Sequence, residues 1–259
     1  MPVPVGRFPG MILFVTGATS GFGAAIARRF AREGHRIVAA GRRTDRLAAL
    51  QAELGAEAVF PLTLDVRDRA AVERAVAALP ADLAAVDLLV NNAGLALGLE
   101  PAPRASLDDW ERMVDTNVKG LMTVTRLLLP GMVARNRGHV VNIGSTAARW
   151  PYPGSNVYGA SKAFVHQLSL NLRADLLGTA VRVSQVDPGM VGGTEFSEVR
   201  FHGDGPRAAQ VYAGAEPLTA EDVADTVFWV ATLPPRVNVN TIELMPVCQA
   251  FAGLSVSRT

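Results

Sequence analysis

Tyr158 and Lys162 stand four positions apart in the stretch NVYGASK, and Ser145 precedes the tyrosine by thirteen positions. On a helix, side chains four apart share a face. A free phenol has a pKa of about 10 and is mostly protonated at neutral pH. A neighbouring positive charge lowers that value. A phenol with an ammonium beside it could take the proton of an alcohol or, run the other way, protonate a forming alkoxide. The plainer alternative is a Tyr and a Lys that only pair on a helix surface. Of 25 basic residues, only Lys119 and Lys162 are lysine. A lysine kept in so Arg-rich a chain suits a place where a compact ammonium fits and a planar fork does not.

A second group that could do chemistry is a glycine run. Gly17, Gly21 and Gly23, with Thr19, Ser20 and Phe22 between them, follow an apolar segment and open a helical pattern. Such glycines let the backbone turn sharply and approach a phosphate, and the helix N-terminus adds N–H donors and the positive end of a dipole. The alternative is an ordinary tight turn. The next apolar segment ends Ala40-Gly41-Arg42-Arg43, without an acidic residue. An Asp or Glu there would accept from ribose hydroxyls. Two guanidinium groups suit a 2′-phosphate, which Arg grips with bidentate, charge-assisted bonds. The expectation is NADP(H) over NAD(H), set against a solvated Arg pair at a helix start.

These residues need elements to position them. Apolar runs at MILFVTG, HRIVAAG, AVFPLTLDV, VDLLVNNAG, GHVVNIGS, AVRVSQVDPG and TIELM read as seven strands. They are continuous rather than alternating, the pattern of strands buried on both faces of a parallel sheet. Between them lie helical patterns at 21–34, 43–55, 68–79, 106–135, 156–177 and 219–233. Strand–helix alternation along the chain predicts a single α/β, Rossmann-like, doubly wound domain over 11–259, preceded by a tail at 1–10. The irregular stretch 188–218 reads as a loop with short helices; a long insertion after a strand end is commonly functional. In open α/β sheets, ligands bind outside the carboxyl ends of the strands.

Composition narrows the classes of function. The chain has 259 residues, a net charge of +1, 19% charged and 49% hydrophobic residues. One core can serve this length, and the apolar content is too high for disorder. The balanced charge gives no reason to expect nucleic acid or an acidic membrane as a partner. No apolar window reaches the length of a membrane span. The start MPVPVGRFPG does not read as a signal peptide, so a cytoplasmic location is expected. Cys248 is the single cysteine, and His35, His139, His166 and His202 show no ligand spacing, so no metal is expected.

Taken in order, these motifs resemble the short-chain dehydrogenase/reductase family over nearly the whole chain. The matching residues are Thr16-Gly17-x3-Gly21-x-Gly23, Asp65-Val66, Asn91-Asn92-Ala93-Gly94, Asn117, Ser145, Tyr158-x3-Lys162 and Pro188-Gly189. The resemblance implies that Tyr158 is the acid/base and that Lys162 binds the nicotinamide ribose and acidifies Tyr158. It further implies that Ser145 orients the substrate oxygen and that Asn117 holds a water in a proton relay. Asp65 and Val66 are implied at the adenine, and Asn92, Ala93 and Gly94 at the adenosine and ribose. Pro188, Gly189, Val191 and Thr194 are implied on the nicotinamide side. For Asp65, a plain helix-start acid is the alternative, and for 92–94 a strand-ending turn.

The stretches FVTGATSGFG, AAGRRTDRL, NNAGLALGLEPA, WPYPGSNVYGASKAFV, VDPGMVGGTEFSEVRFHGD and AGLSVSR are similar to the family's NADP-dependent 3-hydroxy acid dehydrogenase branch. That branch oxidises small 3-hydroxy acids such as serine, L-allo-threonine and 3-hydroxypropionate, and in reverse reduces malonic semialdehyde. A carboxylate substrate asks for an Arg; Arg149 and Arg200 are candidates, with surface positions as the alternative. Trp150, Tyr152 and Phe201 either wall a pocket or pack. Other ketones or 3-oxoacyl thioesters remain open as substrates, as does a regulatory protein that binds the cofactor without turnover. The resemblance also implies a homotetramer.

Overall fold

The computed structural model describes residues 10–251. The tail expected at 1–10, apart from Gly10, and the AGLSVSR stretch lie outside the described residues. The chain alternates strand and helix as its apolar periodicities require. Strands β1 (Ile12–Thr16), β2 (Arg36–Gly41), β3 (Val59–Thr63), β4 (Leu88–Asn91), β5 (Gly138–Ile143), β6 (Val181–Pro188) and β7 (Thr241–Leu244) form one sheet. Its order is β3-β2-β1-β4-β5-β6-β7, and every pair is parallel. The chain starts at the centre and winds outwards twice, so the switch point lies between β1 and β4, where ligand crevices form.

Helices α1 (Gly21–Ala31), α2 (Thr44–Leu54), α3 (Arg69–Ala77), α4 (Leu107–Val114), α5 (Leu121–Ala134), α6 (Asn156–Asp175), α7 (Phe196–Arg200), α8 (Gly205–Gln210) and α9 (Ala220–Thr232) complete the fold. Alternation along the strands splits the core in two. Leu13, Val15, Ile37 and Val141 face Ile26 and Phe30 of α1 and Val223 and Val227 of α9. Phe14, Val38 and Val140 face Val124, Leu128 and Met132 of α5. Fully burying one such side chain is worth about 1.5–3 kcal/mol, so the two sandwiched cores hold the strand ends in place.

The helix expected at 106–135 is continuous, but a π-helical turn, Asp115–Gly120, lies between its α-helical parts α4 and α5. Gly120 presses on Val66, whose Cγ2 lies 2.7 Å from where a Cβ would sit. The extra residue per turn rotates Asn117 inward, where it is buried. Such bulges recur at functional sites. The insertion at 188–218 is, as expected, irregular chain carrying the short helices α7 and α8.

Candidate active site

The carboxyl ends of β1, β2, β3, β4 and β5 surround a groove lined by Gly17, Thr19, Ser20, Gly21, Phe22, Arg42, Arg43, Asp65, Val66, Asn92, Ala93, Gly94, Tyr158, Lys162 and Thr194. Its first wall is the glycine turn. Gly17 and Gly21 have φ of +69° and +51°, the left-handed region that favours glycine. A Cβ on Gly23 would lie 2.3 Å from the Gly17 carbonyl oxygen, so α1 can start this close to β1 only without a side chain. The turn is braced from β4: Asn92 Nδ2 donates to the carbonyls of Thr16 at 2.9 Å and Gly17 at 3.2 Å. Thr16 Oγ1 in turn accepts from the N–H groups of Asn92 and Ala93. Asn92 thus shapes the turn as well as lining the groove. The first turn of α1 has no side-chain cap and no acidic residue. Its N–H groups and dipole suit a phosphate.

At the next strand end, the two arginines differ. Arg42 is exposed at the rim, near enough to Asp65 to help hold its carboxyl low. Arg43 is engaged: Nη2 donates to Thr19 Oγ1 at 3.0 Å and Ser20 Oγ at 2.8 Å, and Nη1 to Glu195 Oε2 at 2.8 Å. Asp65 is clasped by Arg67, whose Nη2 donates to Oδ2 at 2.6 Å. That ion pair is the main reason its pKa falls.

The catalytic candidates gather where β5 and α6 meet. Ser145 and Lys162 are 9% and 6% exposed, and Tyr158 is 7% exposed. Tyr158 packs with Ala96, Leu97, Met113 and Ala147 in a small third core. Burial drives the Tyr158 pKa up to about 12, opposed by the Ser145 hydroxyl bonded to it and by Arg200; Tyr152 and Asp187 add to the rise. Lys162 is not among the opposing groups. Its Nζ donates to the Ile143 carbonyl at 2.9 Å, and burial lowers its pKa to about 8. Sharing a helix face placed both groups in the interior, where desolvation outweighs their mutual effect.

Asn117 bonds the backbone of Leu95 through both amide atoms and donates to Ser161 Oγ at 3.0 Å. A Cβ on Gly94 would lie 3.3 Å from Asn117 Oδ1 and 3.4 Å from Lys162 Nζ, so this glycine sits between the two.

Arg200 is brought to the phenol. Its guanidinium carbon lies 5.2 Å from the Tyr158 ring centre and 5.2 Å from that of Phe196. Nη2 donates to Tyr152 Oη at 2.8 Å. Its buried Nε has no hydrogen-bond partner among the described residues. Arg149 and Trp150 are not brought there. Both are exposed and neither lines the groove. Trp150 turns the other way, donating to Glu243 at 3.0 Å and stacking on Phe251 at 4.3 Å. The short 3₁₀ turn Thr146–Ala148 after Ser145 carries both out of the site. Pro188, Gly189 and Val191 root the loop without lining the groove. Gly189 donates to the Leu244 carbonyl and Val191 bridges to Leu218. Phe201 is buried beneath Arg207 rather than at the phenol.

The sequence reading missed a buried polar chain under the site. Asn91 donates to Asn142, Asn142 to Ser169, Ser169 to Gln185, and Gln185 to Asp187, whose Oδ1 accepts from the Ser145 N–H at 3.1 Å. Asp187 is fully buried; that burial raises its pKa against Gln185, His166, Arg149 and the Ser145 N–H. The signal was present: Asn142 interrupts the apolar run VVNIGS, and Ser184, Gln185 and Asp187 interrupt VSQVDPG, and a buried polar group needs a partner. Glu195 was also missed, having no motif around it.

This arrangement, a glycine-turned phosphate cradle facing a Ser–Tyr–Lys cluster on one sheet edge, is that of a cofactor-dependent oxidoreductase. The chain belongs to the short chain dehydrogenase family, which it matches over residues 11–204. It is 63% identical over 249 residues to the NADP-dependent 3-hydroxy acid dehydrogenase YdfG of Salmonella typhi, covering 96% of this chain and 100% of that protein. It is 51% identical over 246 residues to the serine 3-dehydrogenase of Agrobacterium fabrum, covering 95% and 98%. Among solved structures it resembles the closed form of a serine dehydrogenase complexed with NADP+, with a TM-score of 0.95, 60% identity and coverage of 96% and 100%.

Proposed function

We propose that the protein oxidises small 3-hydroxy acids (serine, L-allo-threonine and 3-hydroxypropionate) to 3-oxo acids with NADP+, and reduces malonic semialdehyde in reverse. The cofactor is NADP, and the enzyme acts on CH–OH groups. The observation carrying the substrate class is Arg200, whose unpartnered Nε and aromatic bed beside the Tyr158 phenol suit a carboxylate two bonds from the reacting carbon. A guanidinium meets a carboxylate through paired, charge-assisted bonds.

Bound NADP supplies the hydride acceptor in oxidation and the hydride donor in reduction. The α1 N-terminus with Gly17, Thr19, Ser20, Gly21, Phe22 and Gly23 would hold its pyrophosphate side, and Arg43 and Arg42 the 2′-phosphate. Asp65 and Val66 would flank the adenine, and Asn92, Ala93 and Gly94 the adenosine ribose. Lys162 would hold the nicotinamide ribose, with Thr194 on the nicotinamide side and Pro188, Gly189 and Val191 rooting the loop that carries it. Ser145 orients the substrate oxygen. Tyr158, with a pKa of about 12, gives its phenolic proton to the carbonyl oxygen in reduction; in oxidation its phenolate, formed by passing the phenolic proton to the relay, takes the proton of the alcohol. Asn117, across Gly94 from Lys162, serves the relay that resupplies the proton.

The test is formation of reduced nicotinamide with L-serine, L-allo-threonine and 3-hydroxypropionate against a neutral alcohol of like size. The acids are expected to turn over with NADP+ far better than the neutral alcohol. Equal turnover of both would remove the carboxylate site. A cytoplasmic homotetramer is part of the same proposal. Met122 of α5 and Phe164 and Leu170 of α6 are 41%, 40% and 37% exposed, apolar surface that self-association would cover. Light scattering at assay concentration measures it.

A further inference from the structure

The five-residue helix α7 joins two sites of opposite function. At its far end Arg200 reaches the Tyr158 phenol. At its near end stands Glu195. Its Oε2 accepts from Arg43 Nη1 at 2.8 Å and its Oε1 from Arg46 Nη1 at 2.7 Å. The Ser20 hydroxyl, which accepts from Arg43, bonds Glu195 as well. The arginine at the N-cap of α2 and the serine at the N-cap of α1 are therefore engaged by a carboxylate of the substrate loop. Arg43 is also the group that, with Arg42, would receive a phosphate on the adenosine ribose in the function proposed above. A carboxylate and a phosphate draw on the same kind of donor, and the two anions repel each other at one guanidinium.

We propose that Glu195 is a positioning residue that competes with the cofactor's 2′-phosphate for Arg43, so that NADP binding releases the near end of α7 and couples cofactor identity to the placement of Arg200. This rests on the NADP reading above and deepens it. Glu195 acts through Arg43 and α7; it touches neither the phenol nor the substrate oxygen. A cofactor without the 2′-phosphate leaves Glu195 on Arg43. By linkage, whatever the phosphate does to the helix, a ligand held by Arg200 returns to the phosphate.

The experiment uses the full chain and measures binding. Calorimetry compares NADP+ and NAD+ on the wild type, Glu195→Gln and Glu195→Asp. Removing one partly exposed charge is expected to tighten NADP+ about fivefold, the upper scale of such an ion pair, with NAD+ unchanged. Glu195→Asp keeps the charge and is expected to keep the wild-type NADP+/NAD+ ratio. Hydrogen exchange over 195–200 adds a readout without turnover. Adenosine 2′-monophosphate is expected to raise exchange there in the wild type, adenosine 5′-monophosphate is not, and Glu195→Gln is expected to start at the raised level. An unchanged or lower NADP+/NAD+ ratio in Glu195→Gln, or equal exchange with both nucleotides, overturns the proposal. If the wild type binds NADP+ and NAD+ alike, the NADP reading fails instead. If 3-hydroxy acids fail to turn over while the binding results hold, only the substrate reading falls.

Discussion

Ser145, Tyr158 and Lys162 rise from strand ends and the start of α6, each under a tenth exposed, whereas Glu195 and Arg200 bracket a five-residue helix over them. The glycines of the two regions show the contrast most directly. In the floor, a Cβ on Gly144 would lie 1.8 Å from Asp187 Oδ1 and 2.6 Å from Gln185 Nε2. In the roof, a Cβ on Gly192 would meet Pro217 Cγ at 2.5 Å where the loop is rooted, but Gly193, Gly203 and Gly214 have nothing within 4 Å of that position. The floor is over-determined by close packing and a continuous polar chain. The roof is held by a few ion pairs and ring contacts. Close-packed interiors transmit strain and resist change, while ion pairs with partial exposure are individually weak. In the function proposed above, proton transfer sits where geometry is rigid, and selection among ligands where a modest energy would move a helix.

The largest expected effect strikes the floor. Tyr158→Phe removes the proton carrier and should cut kcat by about 10²–10⁴-fold, with the NADP+ Kd from calorimetry nearly unchanged. Next comes the roof. Arg200→Ala should raise KM for serine-like acids about 10- to 100-fold, the worth of a charge-assisted contact, and leave neutral ketones much less affected in the same steady-state assay. Equal effects on both would mean that Arg200 only packs on Tyr158.

A third test asks whether the rigidity contrast is real. Gly144→Ala forces an overlap with Asp187 and should cost about 1–3 kcal/mol or more. Gly203→Ala, strained only by its φ of +91°, should cost about 1 kcal/mol. Denaturant unfolding of the two variants would erase the distinction if the costs came out alike. A smaller effect follows from Lys162. Its pKa of about 8 lies below the usual lysine value because of burial; the ammonium is therefore present below that pH and lost as pH rises through it. Reductive kcat/KM should fall above about pH 8 while the phenol is still protonated. Lys162→Arg, slower overall, should lose that limb because guanidinium stays charged. The smallest effect belongs to the rim. Arg67→Ala breaks the pair with Asp65, in which both side chains are about a third exposed, and should shift stability by less than about 1 kcal/mol.

Much of the floor was legible from residue types. Tyr158 and Lys162 share a helix face by spacing alone, and the seven apolar runs became seven parallel strands. The glycine turn was readable because Gly17 and Gly21 occupy conformations that other residues resist. Less was legible in the roof. Arg149 and Arg200 looked equally suited to a carboxylate, yet the 3₁₀ turn after Ser145 carries the first outward and α7 delivers the second to the phenol.

Sequence alone determined the order of strands and helices along the chain, the glycine turn and the shared helix face of phenol and amine, because each follows from local periodicity or local backbone freedom. Only the tertiary structure decided the acidity of Tyr158 and Lys162, the π-helical turn that brings in Asn117, the choice of Arg200 over Arg149 and the hold of Arg43 on Glu195. Burial and long-range contact set these, since a group's charge state depends on the dielectric and partners around it. Those partners, 152 positions apart for Arg43 and Glu195, come together only when the sheet has closed its two cores.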